Sequence, residues 1–452
     1  MKLITIATCI ALLPFFCGNV SSQVPWCATD NVYREYQKQN PAINILHRQS
    51  ENGFVQWLKN NVQMLKQQSA APVITIPVVF HIVYHVDSPQ QNIPDAAIFS
   101  QMDVINRDFR RLNGDTDDVR VIFDSLQADI QFEFCLASVD PSGNQTTGIV
   151  RTAATVGAWD FYNNDQDSMK FSIAGGDDAW PKDSYLNIWT ANMTFFGYGG
   201  ILGFSHFPWD TNSATDGIVL QYNAVGNPSY PYGMPPGNGR PLTHEIGHWF
   251  GLFHTWGNES FFPGCDSSDY VDDTPNQNGQ SNNDCSQSAN TCANESPFWG
   301  AVNPPDMVEN HLDYSSDTCR CMFSKGQKSR MFYYLYNYRS SLFNAVVCDT
   351  STGIMGGDGE AYLVTVSPNP MQNVARITIA GGVREIGEIR EISRSSVIFR
   401  LTDVFGRNIE ILHTSKLPVT LFLQRNGLLA GIYFYEVSVN GMNVYTGKLV
   451  IN

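Results

Sequence analysis

The chain has 452 residues, of which 43% are hydrophobic, and this is enough for two or three domains with sizeable cores. Its formal net charge of −15 at pH 7 argues against a nucleic-acid partner, because binding to phosphates requires a basic surface. Beyond the N-terminal signal, no apolar run is long enough to span a membrane, so we expect no transmembrane segment.

The N-terminus has the pattern of a secretory signal peptide. Lys2 is followed by an apolar run from Leu3 to Phe16 and by small residues before Gln23, so residues 1–22 are predicted to be removed on export. Eight of the ten cysteines remain after that cleavage. Because exported chains meet an oxidising compartment, we expect disulfide bonds among these cysteines.

Residues 23–71 are predicted to form a removable pro-segment. Two polar stretches, 30–39 and 51–68, have helical periodicity, and a change of character at Ala70-Ala71-Pro72 indicates the start of the next domain. Cys27 lies at the start of this segment, and its thiolate is a good metal ligand that would act as a latch on a metal site. The alternatives are an ordinary disulfide cysteine or a free thiol, with another residue such as Asp30 serving as the latch.

Residues 72–348 are predicted to form one domain built on a twisted mixed sheet backed by helices. The predicted strands are 73–86, 130–139 and 185–191, and the predicted helices are 95–111 and 325–343. His81 and His85 lie four positions apart in the first strand, roughly 13 Å from each other. We therefore expect them to pack or to form hydrogen bonds rather than to bind one metal ion. The glycine-rich stretch from Tyr198 to Phe204 is a candidate edge that would hold an extended substrate as an added strand.

The stretch from His244 to His254 reads H-E-x-x-H-x-x-G-x-x-H. On a helix, His244 and His248 lie on one face and can bind a single zinc ion. Gly251 can take the left-handed conformation that ends a helix, which brings His254 in as the third ligand. Glu245 lies beside the pair and can take a proton from water. Three protein ligands leave a fourth position open, which is typical of a catalytic rather than a structural zinc site.

Two regions after the zinc motif carry further polar groups. The stretch from Cys265 to Cys319 has four cysteines and a cluster of acidic residues, so disulfide bonds or calcium would order it. A solvated acidic loop is the alternative interpretation. Tyr314 follows a polar turn, where its hydroxyl could donate a hydrogen bond to an oxyanion.

Several of these features together resemble the pappalysin family of metzincin zinc endopeptidases, in its bacterial secreted branch. The resemblance covers roughly Cys27 to Cys348. It is carried by the zinc motif, by Thr255-Trp256-Gly257, Asp272-Asp273-Thr274-Pro275, Asp313-Tyr314-Ser315 and Gly326-Gln327, and upstream by 134–137 and 176–181.

The resemblance implies a role for particular residues of this chain. It implies zinc at His244, His248 and His254, with Glu245 as general base and acid and with Tyr314 near the metal. It implies calcium ligands at Asp269, Asp272 and Thr274, and disulfide bonds Cys265–Cys292 and Cys285–Cys319. It also implies that the thiolate of Cys27 blocks the zinc in the zymogen. The partners of Cys135, Cys321 and Cys348 stay open.

Two positions near the predicted site bear on how it works. Leu312 stands where metzincins have the methionine of the turn beneath the zinc, and a volume-conserving exchange of this kind costs less than ~1.5 kcal/mol. We therefore expect the site to be retained. Asp317 precedes Cys319, and an acid near this cysteine accompanies cleavage at arginine or lysine in the family, so a preference for basic residues is open.

The end of the chain is predicted to be a separate domain. Residues 349–360 are rich in glycine, threonine and serine and indicate a linker. Residues 361–452 alternate like a small all-β sandwich. Ser367-Pro368-Asn369-Pro370, 401–406 and the ending from Gly431 resemble the C-terminal sorting domain of the type nine secretion system. A sandwich that binds carbohydrate or a surface is the alternative.

The fold class predicted from the sequence is therefore α+β, with a metzincin-like catalytic domain followed by a small all-β sandwich. The predicted function is a secreted zinc endopeptidase, made as a latent zymogen, that hydrolyses extracellular proteins or peptides. We expect an extracellular or cell-surface monomer that meets the secretion machinery through its C-terminal domain. The alternative is a surface adhesin or binding protein with a degenerate metal site.

Overall fold

The computed structural model describes residues 26–451 except for 62–72, 162–165, 196, 211, 231–236, 258–263, 282–284, 294–295, 345–347, 349–360, 368–370, 372, 384–395 and 418. The predicted signal peptide, its cleavage point and the linker therefore lie outside the described residues. None of the helices in the described ranges is both long and apolar enough to cross a membrane.

The predicted pro-segment contains two helices, α1 (Thr29–Gln39) and α2 (Ile43–Asn60). The first matches the prediction. The second begins eight residues earlier than predicted, because Ile43 is buried against aromatic residues of the following domain and tertiary packing extends the helix.

A six-stranded sheet forms the centre of the following domain. Its strands are β1 (Ile74–His85), β2 (Phe132–Leu136), β3 (Ile149–Ala154), β5 (Leu186–Ala191), β7 (Gly203–Ser205) and β8 (Ile218–Gln221). A separate parallel pair joins β4 (Trp159–Asp160) and β6 (Met193–Thr194).

The order of the sheet is β2-β1-β5-β8-β7, and β1 pairs with β2 along its first half and with β3 along its second half. All of these pairings are parallel except the one between β7 and β8. The mixed sheet predicted from the sequence is thus confirmed, and β7 is its antiparallel edge.

Helices cover one face of this sheet and enclose the main core. They are α3 (Asp95–Phe109), the short α4 (Val121–Asp124), α5 (Pro241–Trp249) and α6 (Lys325–Tyr338). The core joins buried residues of β1 such as Phe80 to those of α3, α5 and α6, including Phe109, Ile246 and Met331. Ser324 begins α6 with a capping box, in which its side chain and that of Gln327 bind each other's backbone amide groups.

His81 packs inside the sheet, as the strand spacing predicted. Its side chain is fully buried, with Nδ1 2.5 Å from Asp177 Oδ2 and Nε2 3.0 Å from Asn187 Oδ1. His85 lies half-buried at the end of the same strand.

The C-terminal strands form two antiparallel sheets. One contains β9 (Ala361–Ser367), β10 (Val374–Val383) and β13 (Val419–Gln424), and the other contains β11 (Val397–Asp403), β12 (Asn408–Thr414), β14 (Gly431–Val439) and β15 (Met442–Ile451). Buried residues of both sheets, among them Ile377 and Phe399, share one hydrophobic cluster.

The structure contains three disulfide bonds among the described residues. Cys265 pairs with Cys292 and Cys285 with Cys319, as the resemblance implied. Cys135 pairs with Cys348, which answers a question that the sequence left open. Cys321 is a buried free thiol.

Candidate active site

Helix α5 presents two of the three predicted zinc ligands. Pro241 occupies its first turn, where the lost N–H has no intrahelical partner in any case. Gly251 then has φ +85, and a Cβ there would lie 2.3 Å from the ring of Tyr334. Only glycine fits this turn, which carries the chain back to place His254 beside His244 and His248.

The three imidazole rings converge on one point. Their Nε2 atoms lie 3.0 Å (His244 to His248), 3.2 Å (His248 to His254) and 3.3 Å (His244 to His254) apart. Cys27 completes the group, with its sulfur within 4.8 Å of these atoms, and this is the one such group of metal-binding side chains in the described part of the chain.

The outer nitrogens of the histidines fix the tautomer. Nδ1 of His244 lies 2.7 Å from the carbonyl oxygen of His311, and Nδ1 of His248 lies 2.8 Å from that of Leu252, so both nitrogens donate their proton outward. Burial lowers the pKa of His244 well below its usual range and that of His248 to about 3. Neutral rings that point their lone pairs at one another require a cation between them, so this donor set fits zinc.

Glu245 lies beside this cluster and is almost completely buried, which raises its pKa to about 8. Its Oε2 accepts a hydrogen bond of 2.9 Å from the hydroxyl of Thr29. A Cβ on Gly203 would lie 2.9 Å from Cγ of Glu245, so the glycine lets the edge strand β7 pass directly over the carboxylate.

Tyr314 packs against the rings of His244 and His254. Its ring meets that of His254 edge to face, with 5.0 Å between the centroids. Its hydroxyl donates to the carbonyl oxygen of Cys27 over 2.8 Å and accepts from the amide of Cys27 over 3.2 Å.

The first described residues of the chain run through this cleft. The carbonyl oxygen of Trp26 accepts from the amide of Leu202, and the amide of Ala28 donates to the carbonyl oxygen of Gly203, so the segment adds to the edge of β7 as a parallel strand. The glycine-rich edge predicted from the sequence therefore does pair with an extended chain.

Asp30 contacts the site in a way that the sequence did not predict. Its Oδ2 lies 3.1 Å from Nδ1 of His254, and the charge of His254 contributes to lowering the pKa of Asp30 although burial opposes this. Asp30 thus holds the outer nitrogen of the third histidine, whereas the sulfur of Cys27 lies at the metal-facing side. The contact of Thr29 with Glu245 was also not predicted. The one sequence feature that could have indicated it is a hydroxyl residue two positions after Cys27.

Leu312 lies under α5. It is fully buried, and its Cδ2 would lie 3.0 Å from a Cβ on Gly247, which shows how closely it packs against α5. Leu312 therefore lies beneath the metal-binding helix, in the position where metzincins are expected to have a methionine.

The carboxylate of Asp317 binds groups of the surrounding structure with both of its oxygens. Its Oδ1 lies 2.7 Å from Arg320 Nη2, and its Oδ2 accepts from the amide of Asn238 over 2.6 Å. A role for its charge in binding basic residues therefore stays a prediction.

The predicted calcium ligands lie on one loop. Oδ2 of Asp269 accepts from the hydroxyl of Thr274 over 2.7 Å, and burial raises the pKa of Asp269 to about 8. Asp272 is exposed.

Comparison with known proteins gives a consistent result. A family model described as pregnancy-associated plasma protein-A, of peptidase family M43, matches residues 172–336. An extracellular metalloprotease of Colletotrichum graminicola is 28% identical over 280 residues, which are 60% of this chain and 80% of the relative. One from Sordaria macrospora is 36% identical over 150 residues, which are 32% of this chain and 47% of the relative, so the chain spans about half of that protein.

Two solved structures from Tannerella forsythia are also similar. Mature mirolysin in complex with a cleaved peptide is 36% identical, with a TM-score of 0.53, and the match covers 60% of this chain and 96% of that chain. A mutant promirolysin is 32% identical, with a TM-score of 0.55, and the match covers 70% of this chain and 97% of that chain.

Proposed function

The chain belongs to the pappalysin family of metzincin metalloendopeptidases, and on that premise we propose that it is a secreted zinc endopeptidase made as a latent zymogen. The observation that carries the proposal is the convergence of the Nε2 atoms of three histidines, with Glu245 and Tyr314 beside them. The family and the extracellular relatives support secretion and protein or peptide substrates.

The site residues have distinct roles in the proposed reaction. A zinc ion held by His244, His248 and His254 would polarise the peptide carbonyl and lower the pKa of the attacking water. Glu245 takes the proton of that water and passes it to the leaving amine. The hydroxyl of Tyr314 donates a hydrogen bond to the oxygen of the carbonyl as its negative charge develops. The edge of β7 holds the substrate backbone as an added strand.

The same residues support the proposed latency. The segment from Trp26 to Ala28 fills the strand position at β7, and Cys27 lies against the histidines. Burial and the Glu245 carboxylate raise the pKa of the Cys27 thiol well above its usual range, so a cation among the histidines would be needed to hold it as a thiolate. Thr29 binds the general base at the same time. The latch thus covers the metal-binding group, the base and the substrate strand.

Two variants test the proposed activity. Glu245→Gln keeps the shape of the side chain but removes the base, and we expect it to abolish hydrolysis of casein while zinc content stays at one per chain. His248→Ala should lose stoichiometric zinc as measured by elemental analysis. Normal activity of Glu245→Gln would refute the mechanism.

The alternative of a surface adhesin requires a degenerate metal site. It predicts a chain without stoichiometric zinc, which the same elemental analysis measures. The outer nitrogens of His244 and His248 bind backbone carbonyl oxygens and that of His254 lies beside Asp30, and this arrangement favours the enzyme.

Two further roles complete the proposal. Residues 361–452 would serve as the sorting domain for type nine secretion, supported by their sequence resemblance and by their antiparallel strands. Deletion of this region should then leave the protein inside the producing cell.

Asp269, Asp272 and Thr274 would hold calcium, supported by the buried carboxylate of Asp269, whose raised pKa a bound cation would lower. Calcium should in that case raise the thermal midpoint of unfolding. We further propose a monomer at the cell surface or in the medium.

A further inference from the structure

Helix α2 lies in a groove lined by aromatic residues and one arginine. We call this surface the helix groove, and it is formed by Trp209, Phe253, Tyr270, Arg330, Tyr333 and Tyr334. The metal-binding group, the base and the substrate strand are all covered by residues 26–30, so α2 is not needed to block the cleft.

Arg330 is the charged centre of the groove and is fully buried. Its Nε donates to the carbonyl oxygen of Gly251 over 2.7 Å, and its guanidinium lies 5.0 to 5.6 Å from the ring centroids of Phe253, Tyr270 and Tyr334. These contacts all come from the catalytic domain. They would continue to hold the guanidinium after α2 has left.

The remaining donors of Arg330 point to a carboxylate on α2. Nη1 and Nη2 bind the two oxygens of Glu51 over 2.7 and 2.5 Å, and the hydroxyl of Tyr334 donates to the same carboxylate over 2.9 Å. A paired contact of this kind is both strong and specific in geometry.

Among the described residues, Glu51 is the acidic group within ion-pair distance of Arg330. The charge of Asp269 also acts on Arg330, but the oxygens of Asp269 accept from the amide of Val271 and the hydroxyl of Thr274. When α2 leaves, the catalytic domain therefore retains a fixed guanidinium that has lost its carboxylate.

The shape of the groove specifies more than a charge. Phe54 packs against the ring of Tyr333, with 5.5 Å between centroids, and covers the guanidinium of Arg330 from the side of α2. A Cβ on Gly53 would lie 2.1 Å from the hydroxyl oxygen of Tyr333, so the helix approaches very closely at this point. The pattern that fits is a carboxylate, then a small residue two positions later and an aromatic residue three positions later.

The groove also has room beyond α2 and adjoins the catalytic centre. A cavity of about 800 Å³ lies beside Phe54 and Leu58 and extends to the start of α6 at Lys325. Phe253, which lines the groove, directly precedes the ligand His254. One polypeptide can therefore occupy the cleft and the groove together, as residues 26–60 do here.

We propose that the helix groove is an exosite of the mature enzyme, which binds a helical segment of a protein substrate carrying a carboxylate and, three residues later, an aromatic side chain. The inference rests on the proposed function, because the pro-segment must leave before the groove is open. The helix α2 is the internal template for this ligand. Binding at the groove raises the local concentration of the substrate at the cleft, so it lowers KM and leaves kcat unchanged.

A binding measurement tests the recognition directly. The full chain would carry a specific protease site within residues 62–71, so that the pro-segment can be cut and removed. A fluorescent peptide with the α2 sequence, residues 43–60, is then titrated and followed by anisotropy. We expect saturable binding that is at least ten-fold weaker for the Glu51→Gln peptide and unchanged for Gln56→Ala, which alters an exposed position. Absent binding, or equal binding of the Glu51→Gln peptide, would overturn the proposal.

Variants of the enzyme provide the complementary arm. Arg330→Gln should abolish the difference between the wild-type and Glu51→Gln peptides. Because the loss of a buried arginine also threatens folding, Tyr334→Phe serves as the milder change, and we expect it to weaken binding of the wild-type peptide three-fold or more. Unchanged binding by folded Tyr334→Phe would contradict the assigned contact.

A kinetic measurement tests the use of the site. A short fluorogenic peptide is joined to the α2 sequence by a flexible linker as long as the segment between Thr29 and Ile43. We expect a KM at least five-fold lower than that of the short peptide, with the gain lost in the Glu51→Gln fusion. An equal KM for both fusions would overturn the exosite. Absence of cleavage of every substrate, with peptide binding intact, would instead refute the proposed protease function.

Discussion

The hydroxyl of Tyr314 donates a hydrogen bond to the carbonyl oxygen of Cys27 over 2.8 Å. A backbone carbonyl of the N-terminal segment therefore already occupies the place where a substrate carbonyl would meet this phenol. The proposed latch would use the same contact as the proposed reaction.

Replacing Tyr314 by phenylalanine should lower kcat roughly 100-fold, because the donor that stabilises the developing oxyanion is lost. KM should change little, since the contact strengthens mainly in the transition state. Steady-state kinetics of the processed enzyme on a peptide substrate measure both constants. A loss confined to KM would place Tyr314 in substrate binding alone.

Replacing Cys27 by serine should give an unprocessed chain with measurable activity. The serine hydroxyl is a far weaker zinc ligand than a thiolate, so the segment at β7 leaves the cleft more often. Casein hydrolysis by the intact chain measures this, and the double variant with Glu245→Gln controls for contaminating proteases. Latency equal to that of the wild type would shift the mechanism to Thr29 and Asp30.

Replacing Glu51 by glutamine should weaken the docking of α2 in a pH-dependent way. Burial raises the pKa of Glu51, but Arg330, with His47, outweighs this and lowers it from 4.5 to about 2. Stabilisation by a carboxylate with a lowered pKa is fully present above pH 4.5 and is lost as the pH falls toward 2. The shift corresponds to on the order of 3 kcal/mol.

The measurement is urea unfolding of the wild-type chain and of Glu51→Gln, both carrying Glu245→Gln to prevent autolysis. The difference between their free energies of unfolding should shrink as the pH falls below 4.5. The groups that face Glu51 are Arg330, His47 and the hydroxyl of Tyr334. A difference that does not shrink below pH 4.5 would contradict the ion pair.

Replacing Leu312 by methionine should cost less than ~1.5 kcal/mol, because the volume of the buried side chain is conserved. Leu312→Ala should cost about 2 to 5 kcal/mol, since it leaves a cavity against Gly247 under α5. Urea unfolding and zinc content of the two variants provide the test. A higher zinc affinity of Leu312→Met would show that leucine packs less well than methionine beneath the metal-binding helix.

The sequence predicted much of the site because its chemistry is local. His244, Glu245 and His248 lie on one helix, and Gly251 explains how His254 returns to them. Three strands of the sheet, β1, β2 and β5, were also predicted, since β1 and β5 are continuous apolar runs. The strands β3 and β8 were not predicted.

Other features depend on contacts between distant parts of the chain. Thr29 and Glu245, or Glu51 and Arg330, are separated by more than 200 positions, and neither pair has a spacing that could reveal it. The start of α2 was missed for the same reason, because the burial of Ile43 comes from the groove. The sequence did not predict the bond between Cys135 and Cys348. The other two pairings, Cys265–Cys292 and Cys285–Cys319, were predicted because the chain resembles a known family.

The Cys135–Cys348 bond has a mechanical consequence. It joins β2, at one edge of the central sheet, to the last described residue before residues 349–360. The chain that leads into residues 349–360 is therefore anchored covalently to the central sheet, and not only through the backbone that follows α6. A pull on this part of the chain reaches β2 through a covalent bond.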